Sequence, residues 1–366
     1  MAAVAIAGTG LHGPANAADI DFGKPGEPVK LVIGYLPFYT EAWSVFVLQE
    51  KQLWKKYLPA GSTVEFQTGL HGGILVNQML AGKHHIGYVG DMPAIISATK
   101  QSVADIRMVA VLGLSYDQCN VFLVRNDAPQ FKDFTEALAW MNGKTVAVPK
   151  GGCPDRFAQV VFQKHKIQPG SYLNQNIEVI TSGFRAGKLD ASAVVEATAS
   201  RLVLEGLARR VASGVNFNEL DGAFLTMRAD LIKQRRDVVI AWLNAELDAQ
   251  LFLADERNAP EIIRMAVARN AGFPQKSLWM SLYGTYSEAQ GGAKARLFLP
   301  FGFSPDAMGL ITKATAFLHS IQAIDVEKLR AEAVMPEFTQ QVLKERGLKA
   351  PIGEVKALPD SAYTDK

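Results

Sequence analysis

Four acidic residues stand beside predicted strand ends or helix starts, which are the positions where α/β proteins meet their ligands. Glu41 and Asp155 fall in first helical turns, whereas Asp91 and Glu196 follow predicted strands. Carboxylates accept hydrogen bonds from N–H groups and attract positive charge, so such a set suits an amine or a nitrogen heterocycle. For Glu41 and Asp155 a second interpretation stays open, because the helix dipole favours acidic side chains in a first turn.

Aromatic side chains lie close in sequence to the first of these carboxylates. An aromatic face stacks on a flat ligand and attracts a cation. The aromatic candidates are Phe38, Tyr39 and Trp43, of which Trp43 can instead belong to the core of the next helix. The basic candidates near the same loops are His71, Lys150 and Arg156.

The two cysteines, Cys119 and Cys153, leave two alternatives open. In an oxidising compartment they could form a disulfide, and otherwise they remain separate thiols. Cys153 also opens a predicted helix, where a thiolate could act as a nucleophile with His71 as its base. Asp155 would raise the pKa of that thiol, which weakens the hypothesis of an enzyme.

The sequence predicts neither a metal site nor a cofactor. His84 and His85 are adjacent on a predicted strand, so their side chains point to opposite faces, and no carboxylate or cysteine stands at ligand spacing. The chain also contains no glycine-rich phosphate loop of the GxxxxGK[ST] type.

Length and charge restrict the class of protein. The chain has 366 residues, enough for two lobes of ordinary domain size, and a formal net charge of +2, which predicts no nucleic-acid partner. Beyond the N-terminus no uncharged apolar run is long enough to span a membrane. Residues 1–18 carry no charge and end in Ala15-Asn16-Ala17-Ala18, which predicts the remnant of an export signal; a flexible Ala/Gly terminus is the alternative.

Hydrophobic patterning predicts two α/β units, in which strand, loop and helix alternate until helix takes over from Asp230. The predicted strands are residues 29–35, 63–67, 85–90, 107–112, 121–125, 144–149, 177–180, 191–195 and 222–227. The predicted division is one lobe of residues 29–118 and 222–345, a second lobe of residues 119–221, and a surface tail of residues 346–366.

Several short motifs occur in an order that is typical of one family. They are Ile33-Gly34-Tyr35, NQMLAGK at residues 77–83, IGYVGDMPA at 86–94, NGKTVAVPKG at 142–151 and GKLDA at 187–191. Over residues 29–270 the chain resembles the periplasmic binding proteins for taurine, aliphatic sulfonates, nitrate and thiamine-type pyrimidines. The resemblance implies a type II periplasmic binding protein fold, with two parallel-rich lobes joined by two crossings. It also implies a monomer in the periplasm whose partners, an ABC permease and an ATPase, are separate chains.

One position departs from the pattern of that family. Its members usually carry Gly-Ser-Ser where this chain has Gly151-Gly152-Cys153-Pro154-Asp155. Pro154 removes an N–H donor and Asp155 adds negative charge where an anion would bind. We therefore expect a solute that bears nitrogen or an aromatic ring; a sulfonate, taurine or nitrate type of anion is the alternative.

The expected function is binding without catalysis, for delivery of a small organic solute to a permease. The rival hypotheses are a sensor that presents its ligand to a signalling partner and an enzyme that uses Cys153. The complete set of candidate ligand-binding residues is Phe38, Tyr39, Glu41, Trp43, Thr68, Gly69, Leu70, His71, Asp91, Met92, Gln118, Cys153, Asp155, Arg156 and Glu196.

Overall fold

The structure is a computed structural model and describes residues 19–364. In that part of the chain two mixed sheets, each flanked by helices, form two lobes. The predicted export segment, residues 1–18, lies outside the described residues.

Lobe 1 is built on a seven-stranded sheet with the strand order β12-β11-β4-β10-β3-β1-β2. Its strands are β1 Lys30–Tyr35, β2 Thr63–Thr68, β3 Ile86–Gly90, β4 Ile106–Ser115, β10 Asp221–Arg228, β11 Ala295–Leu299 and β12 Gly353–Lys356. Strands β1, β2 and β3 run parallel to one another, whereas β10 pairs antiparallel with β3 and β4. The carboxyl ends of β1, β2 and β3 therefore share one edge of the sheet.

Lobe 2 is built on a five-stranded sheet with the strand order β7-β6-β8-β5-β9. Its strands are β5 Val121–Arg125, β6 Thr145–Val148, β7 Ser171–Asn174, β8 Ala191–Val194 and β9 Ala208–Ser213. Strands β6, β7 and β8 are mutually parallel, so this lobe repeats the arrangement of lobe 1 on a smaller scale.

Helices cover both sheets. They are α1 Ser44–Glu50, α2 Gly72–Leu80, α3 Asp91–Ala98, α4 Phe134–Trp140, α5 Cys153–His165, α6 Ile177–Arg185, α7 Glu196–Leu204, α8 Gly214–Phe217, α9 Ala229–Gln234, α10 Arg236–Ala254, α11 Ala259–Arg269, α12 Gln275–Tyr283, α13 Pro305–Ser320 and α14 Pro336–Glu345. None of the helices in residues 19–364 is long and apolar enough to cross a membrane.

Strand β5 shows why its sequence predicts a buried strand. Val121 and Leu123 point into the hydrophobic core on one face of the lobe 2 sheet, while Phe122 and Val124 point into the core on the other face. Because helices cover both faces, an uninterrupted apolar run is compatible with the alternation of side chains along a strand.

The chain passes between the lobes twice. It leaves lobe 1 through residues 116–120, which join β4 to β5, and returns after β9 through residues 214–220, which lead into β10. The first crossing carries Asp117, Gln118 and Cys119, all with no exposed surface.

Most predicted strands are confirmed, but residues 177–180 are not a strand. They open helix α6, whose N-cap Asn176 accepts a hydrogen bond from the Val179 N–H at 3.0 Å. A short apolar run is compatible with a strand or a helix, and here the capping asparagine favours the helix.

Four other strands differ from the expectation. The prediction of helix throughout the chain from Asp230 onward was wrong at β11. Strand β11 pairs antiparallel with β12, so part of the expected surface tail joins the lobe 1 sheet as its edge strand. Strands β7 and β9 carry no strong alternation and were missed.

Candidate binding cleft

The loops that follow six strands form the walls of a cleft between the lobes. Those after β1, β2 and β3 come from lobe 1, and those after β6, β7 and β8 come from lobe 2. The cleft measures about 660 Å³, including the solvent at its mouth. It is lined by Leu36, Phe38, Tyr39, Leu70, His71, Gly72, Gly73, Gly90, Pro93, Pro149, Lys150, Gly151, Gly152, Cys153, Pro154, Asn176, Ile177 and Val195.

Five helices begin at this cleft: α2, α3, α5, α6 and α7. At the N-termini of α3, α5 and α7 the N-cap residues are Gly90, Gly152 and Val195, which have no side chain that could accept a hydrogen bond from the first turn. The positive ends of these three helix dipoles therefore face the cleft, an arrangement that attracts negative charge.

The turn before α5 depends on a glycine. Gly151 adopts φ +81°, a left-handed conformation that residues with a Cβ atom rarely take, and nothing in the described structure lies near the position of such a Cβ. Its N–H donates to Asp155 Oδ2 at 3.0 Å, which ties the turn to the first turn of the helix. Asp155 also accepts hydrogen bonds from Gln159 and from the Tyr172 hydroxyl, both at 2.8 Å, so its carboxylate is engaged away from the cleft.

A disulfide joins Cys119 of the first crossing to Cys153, the first residue of α5. The two Cα atoms are 5.9 Å apart, and Cys153 Sγ also lies 3.9 Å from the Tyr39 hydroxyl. Both cysteines of the chain are thus bonded to each other and no thiol is free. In this oxidised form Cys153 offers no thiolate nucleophile, although it lines the cleft.

Asp91 is buried beneath the cleft and pairs with a basic residue of the other lobe. Its Oδ2 accepts from Arg156 Nη2 at 3.0 Å and from Nε at 3.1 Å. Its Oδ1 accepts from the N–H of Met92 at 2.7 Å. Neither Asp91 nor Arg156 is among the lining residues, and each neutralises the charge of the other.

Glu196 is equally buried, and two guanidinium groups contact it. Arg210 Nη1 donates to Glu196 at 2.7 Å, and Arg296 Nη2 donates at 3.1 Å. Burial raises the pKa of the Glu196 carboxyl, while Arg210 and Arg296 oppose that rise. The side chain thus points into the joint between the lobes.

Glu41 lies with Asp221 in a buried acidic pair below Tyr39. Burial raises the pKa of Glu41 well above its ordinary value, and the negative charge of Asp221 raises it further. Burial also raises the pKa of Asp221 to about 7. Both effects favour the protonated, uncharged form of Glu41 over the carboxylate that the sequence suggested.

The structure brings only part of the predicted set to the cleft surface. Phe38, Tyr39, Leu70, His71 and Cys153 line it, as does Lys150, which the sequence marked as a basic candidate. The remaining predicted residues, none of which is a lining residue, are Glu41, Trp43, Thr68, Gly69, Asp91, Met92, Gln118, Asp155, Arg156 and Glu196. Trp43 is fully buried and stacks on Phe46 at 5.4 Å between ring centroids, in the lobe 1 core.

Sequence reasoning missed several lining residues, chiefly apolar ones. They are Leu36, Pro93, Pro149, Pro154, Asn176, Ile177 and Val195, with the glycines of the same loops. Asn176 and Ile177 were missed because residues 177–180 were assigned to a strand. The N-cap asparagine is the signal that could have placed a helix start there.

The cleft surface is consequently apolar with a basic rim. The described lining residues include no carboxylate, whereas His71 and Lys150 are exposed at its edge. Within residues 19–364 no group of three or more histidine, cysteine or acidic residues could hold a metal ion.

Comparison with known proteins places the chain in a family. The model of the NMT1-like family matches residues 24–267, which is most of the chain and agrees with the resemblance found in the sequence motifs. A search of curated protein sequences found no match.

Solved structures share the fold at low sequence identity. The alkanesulfonate-binding protein SsuA from Xanthomonas axonopodis pv. citri bound to MOPS has 19% identity and a TM-score of 0.67, covering 86% of this chain and 99% of its own. The periplasmic nitrate-binding protein NrtA from Synechocystis PCC 6803 has 16% identity and a TM-score of 0.68, covering 88% and 90%. A mutant of DSZB in complex with biphenyl-2-sulfinic acid has 15% identity and a TM-score of 0.59, covering 86% and 99%. DSZB is described as a desulfurization enzyme, so the fold serves both binding proteins and an enzyme.

Proposed function

The chain belongs to the NMT1-like family, and on that premise we propose that it is the solute-binding component of an ABC importer. It captures a small organic solute between its two lobes and delivers it to a permease, which an ATPase on another chain drives. It works as a monomer in the periplasm, where the Cys119–Cys153 disulfide is stable.

The observation that carries this proposal is the convergence of six strand ends and five helix starts on one interlobe cleft. Ligands of α/β proteins bind beyond the carboxyl ends of parallel strands, and here both lobes present such ends to the same space. A solute held there contacts both lobes at once, so binding favours a closed arrangement over an open one.

The lining favours a solute with an apolar body and a negatively charged group. Side chains such as Leu36, Phe38 and Ile177 offer apolar surface, while the positive ends of the helix dipoles of α3, α5 and α7 attract an anion. Lys150 and His71 add positive charge at the rim.

The expectation of a nitrogen-bearing solute rested on four carboxylates facing the cleft. Asp91 and Glu196 are paired with arginines, and Asp155 is occupied by hydrogen bonds within lobe 2. Glu41 is fully buried, and its raised pKa favours the neutral acid. Because none of these carboxylates faces the solute, an organic anion is a better candidate than an amine or a nitrogen heterocycle. An aromatic ring in the solute remains part of the proposal, because Phe38 lines the cleft.

A melting-temperature screen tests this function. Aliphatic sulfonates such as MOPS and taurine, aromatic carboxylates and sulfinates, nitrate, pyrimidines and amines would each be added to the full chain. A ligand at 100 times its Kd stabilises the folded state by about 2.7 kcal/mol, so the right class raises Tm clearly. We expect organic anions to do so. Stabilisation by amines or pyrimidines alone would contradict the anion assignment, and no stabilisation by any class would contradict the binding function.

A matched pair of variants shows whether the response comes from the cleft. A Cβ on Gly152 would meet its nearest neighbours at 3.5 Å, so Gly152→Val folds but covers the start of α5. Gly309→Ala adds a methyl group on the exposed face of α13, where nothing lies within 4 Å. The first variant should lose the ligand-induced rise in Tm and the second should keep it.

A further inference from the structure

Four charged side chains form a closed ring between the lobes, which we call the interlobe network: Asp117, Glu196, Arg210 and Arg296. Each carboxylate contacts both guanidinium groups. Arg210 is 2.7 Å from Glu196 and 3.3 Å from Asp117, and Arg296 is 3.1 Å from Glu196 and in contact with Asp117. All four side chains are at most 1% exposed, and their formal charges cancel.

The members of the interlobe network come from three parts of the fold. Glu196 and Arg210 belong to α7 and β9 of lobe 2, and Arg296 belongs to β11 of lobe 1. Asp117 lies in the first crossing. The network therefore fastens the two lobes to each other and to the segment that connects them.

The loop between α12 and β11 of lobe 1 completes the joint. The ring of Tyr286 lies 4.1 Å from the Arg210 guanidinium and 5.0 Å from that of Arg296, within the range of cation–π attraction. The Tyr286 hydroxyl is 2.7 Å from Ser200 Oγ, and Ser200 donates to Glu196 at 3.0 Å. One hydroxyl thus links the tyrosine of lobe 1 to the carboxylate of lobe 2.

Gly291 lets this loop approach lobe 2 closely. It has φ +70°, and a Cβ there would lie 2.4 Å from both Ser213 Oγ and Asn216 Oδ1. Its carbonyl accepts from Ser213 Oγ at 2.6 Å and from Arg210 at 3.1 Å. These contacts form a third connection between the lobes in addition to the two crossings.

We infer that the interlobe network is the pivot about which the lobes turn, and that Glu196 is a positioning residue that sets the separation of the cleft rims. Separating the network would leave buried charges unpaired, which costs far more than bending the crossings around it. Opening on the cleft side separates the pair Asp91–Arg156, whereas opening at the network would separate Arg296 from Glu196 together with the contacts of Tyr286 and Gly291, so the cleft side is the one that moves. The inference rests on the proposed function only in linking this motion to the capture of a solute, since the pivot itself needs no ligand.

The test measures the distance between the lobes in the full-length oxidised chain without ligand. Spin labels are attached at Asn77→Cys on α2 of lobe 1 and Ser182→Cys on α6 of lobe 2, both exposed helical positions. The native cysteines are bonded to each other, so only the introduced thiols react. Pulsed electron paramagnetic resonance then gives the distribution of distances across the cleft.

We expect Glu196→Gln to broaden this distribution and lengthen its mean by about 3 Å or more, because a rigid joint becomes a loose one. Ser200→Ala, a milder change, should shift it in the same direction by less. The matched control is Asp230→Asn, which breaks the buried pair Arg228–Asp230 inside lobe 1 and should leave the distribution unchanged.

Two results would overturn the inference. In the first, Glu196→Gln and Ser200→Ala keep the distance distribution of the unsubstituted protein. In the second, Asp230→Asn broadens it as much as Glu196→Gln does, which would show general loosening and not a pivot. Because no ligand is used, either result is independent of whether the screen finds a solute.

Discussion

The guanidinium of Arg156 lies 3.0 Å from the carboxylate of Asp91, which joins lobe 2 to lobe 1 beneath the cleft. Arg156 is 2% exposed and Asp91 is not exposed at all. Arg156 also donates to the Leu220 carbonyl at 2.7 Å, so it contacts the second crossing as well. The most prominent acidic candidate of the sequence thus has a structural partner in place of a ligand.

Asp91→Asn should destabilise the protein by about 3 kcal/mol, because removing one member of a buried pair leaves the other charge uncompensated. Urea unfolding of the variant and of the unsubstituted chain measures the difference. Glu219→Gln is the control, since Glu219 is 3.6 Å from Arg156 and partly exposed, and it should cost less than about 1 kcal/mol. Equal stability of Asp91→Asn and the unsubstituted chain would contradict the pairing.

Replacing both Cys119 and Cys153 by serine should lower the free energy of unfolding by about 4 kcal/mol, the loop-closure value for cysteines 34 residues apart. The measurement is urea unfolding with and without reductant. Reductant should lower the free energy of unfolding of the unsubstituted chain and leave that of the double variant unchanged. A thiol alkylator that modifies the unreduced, unfolded protein would show that the bond is absent.

The stability of the protein should depend on pH through Asp221. Burial raises the pKa of Asp221 from 3.8 to about 7, so the folded state holds this proton more tightly than the unfolded state does. The resulting stabilisation is fully present below pH 3.8 and is lost as the pH rises to about 7. Asp221→Asn, which cannot ionise, should therefore be more stable than the unsubstituted chain at pH 8, on the order of 4 kcal/mol.

The control for this pH dependence is a carboxyl with the opposite shift. Burial raises the pKa of Asp230, but hydrogen bonds from Arg228 and from backbone N–H groups lower it overall. The ionised carboxylate of Asp230 therefore stabilises the folded state at neutral pH, and this stabilisation is lost in acid. Asp230→Asn should accordingly be less stable than the unsubstituted chain at pH 8. If Asp221→Asn also lost stability at pH 8, the raised pKa of Asp221 would be wrong.

Lys150→Met should weaken the binding of an organic anion about tenfold, the loss expected when one charged contact is removed. Because Lys150 is exposed, its replacement should change the free energy of unfolding by less than about 0.5 kcal/mol. Calorimetry with an anion identified in the melting screen gives the affinity. Lys132→Met, at an exposed site of lobe 2 that does not line the cleft, is the charge-matched control and should bind normally.

Local sequence predicted the elements that are buried on both faces. Strands β1, β5 and β10 were found within one residue of their observed limits, because burial leaves a continuous apolar run that needs no distant partner to be recognised. The same reasoning failed for Ala295–Leu299, whose place as a strand depends on pairing with β12 about sixty residues later. The order of short motifs predicted the family, and the family match agrees with it.

The sequence by itself determined the two α/β units, the family and most of the loops that form the cleft, since these follow from local periodicity and motif order. Only the tertiary structure decided which side chains of those loops face the solute. Glu196 turns towards Arg296, a hundred residues away in the chain, and Cys119 meets Cys153 across the cleft floor. The direction of a buried charge is set by the partner that neutralises it, and that partner is known only once the lobes are assembled.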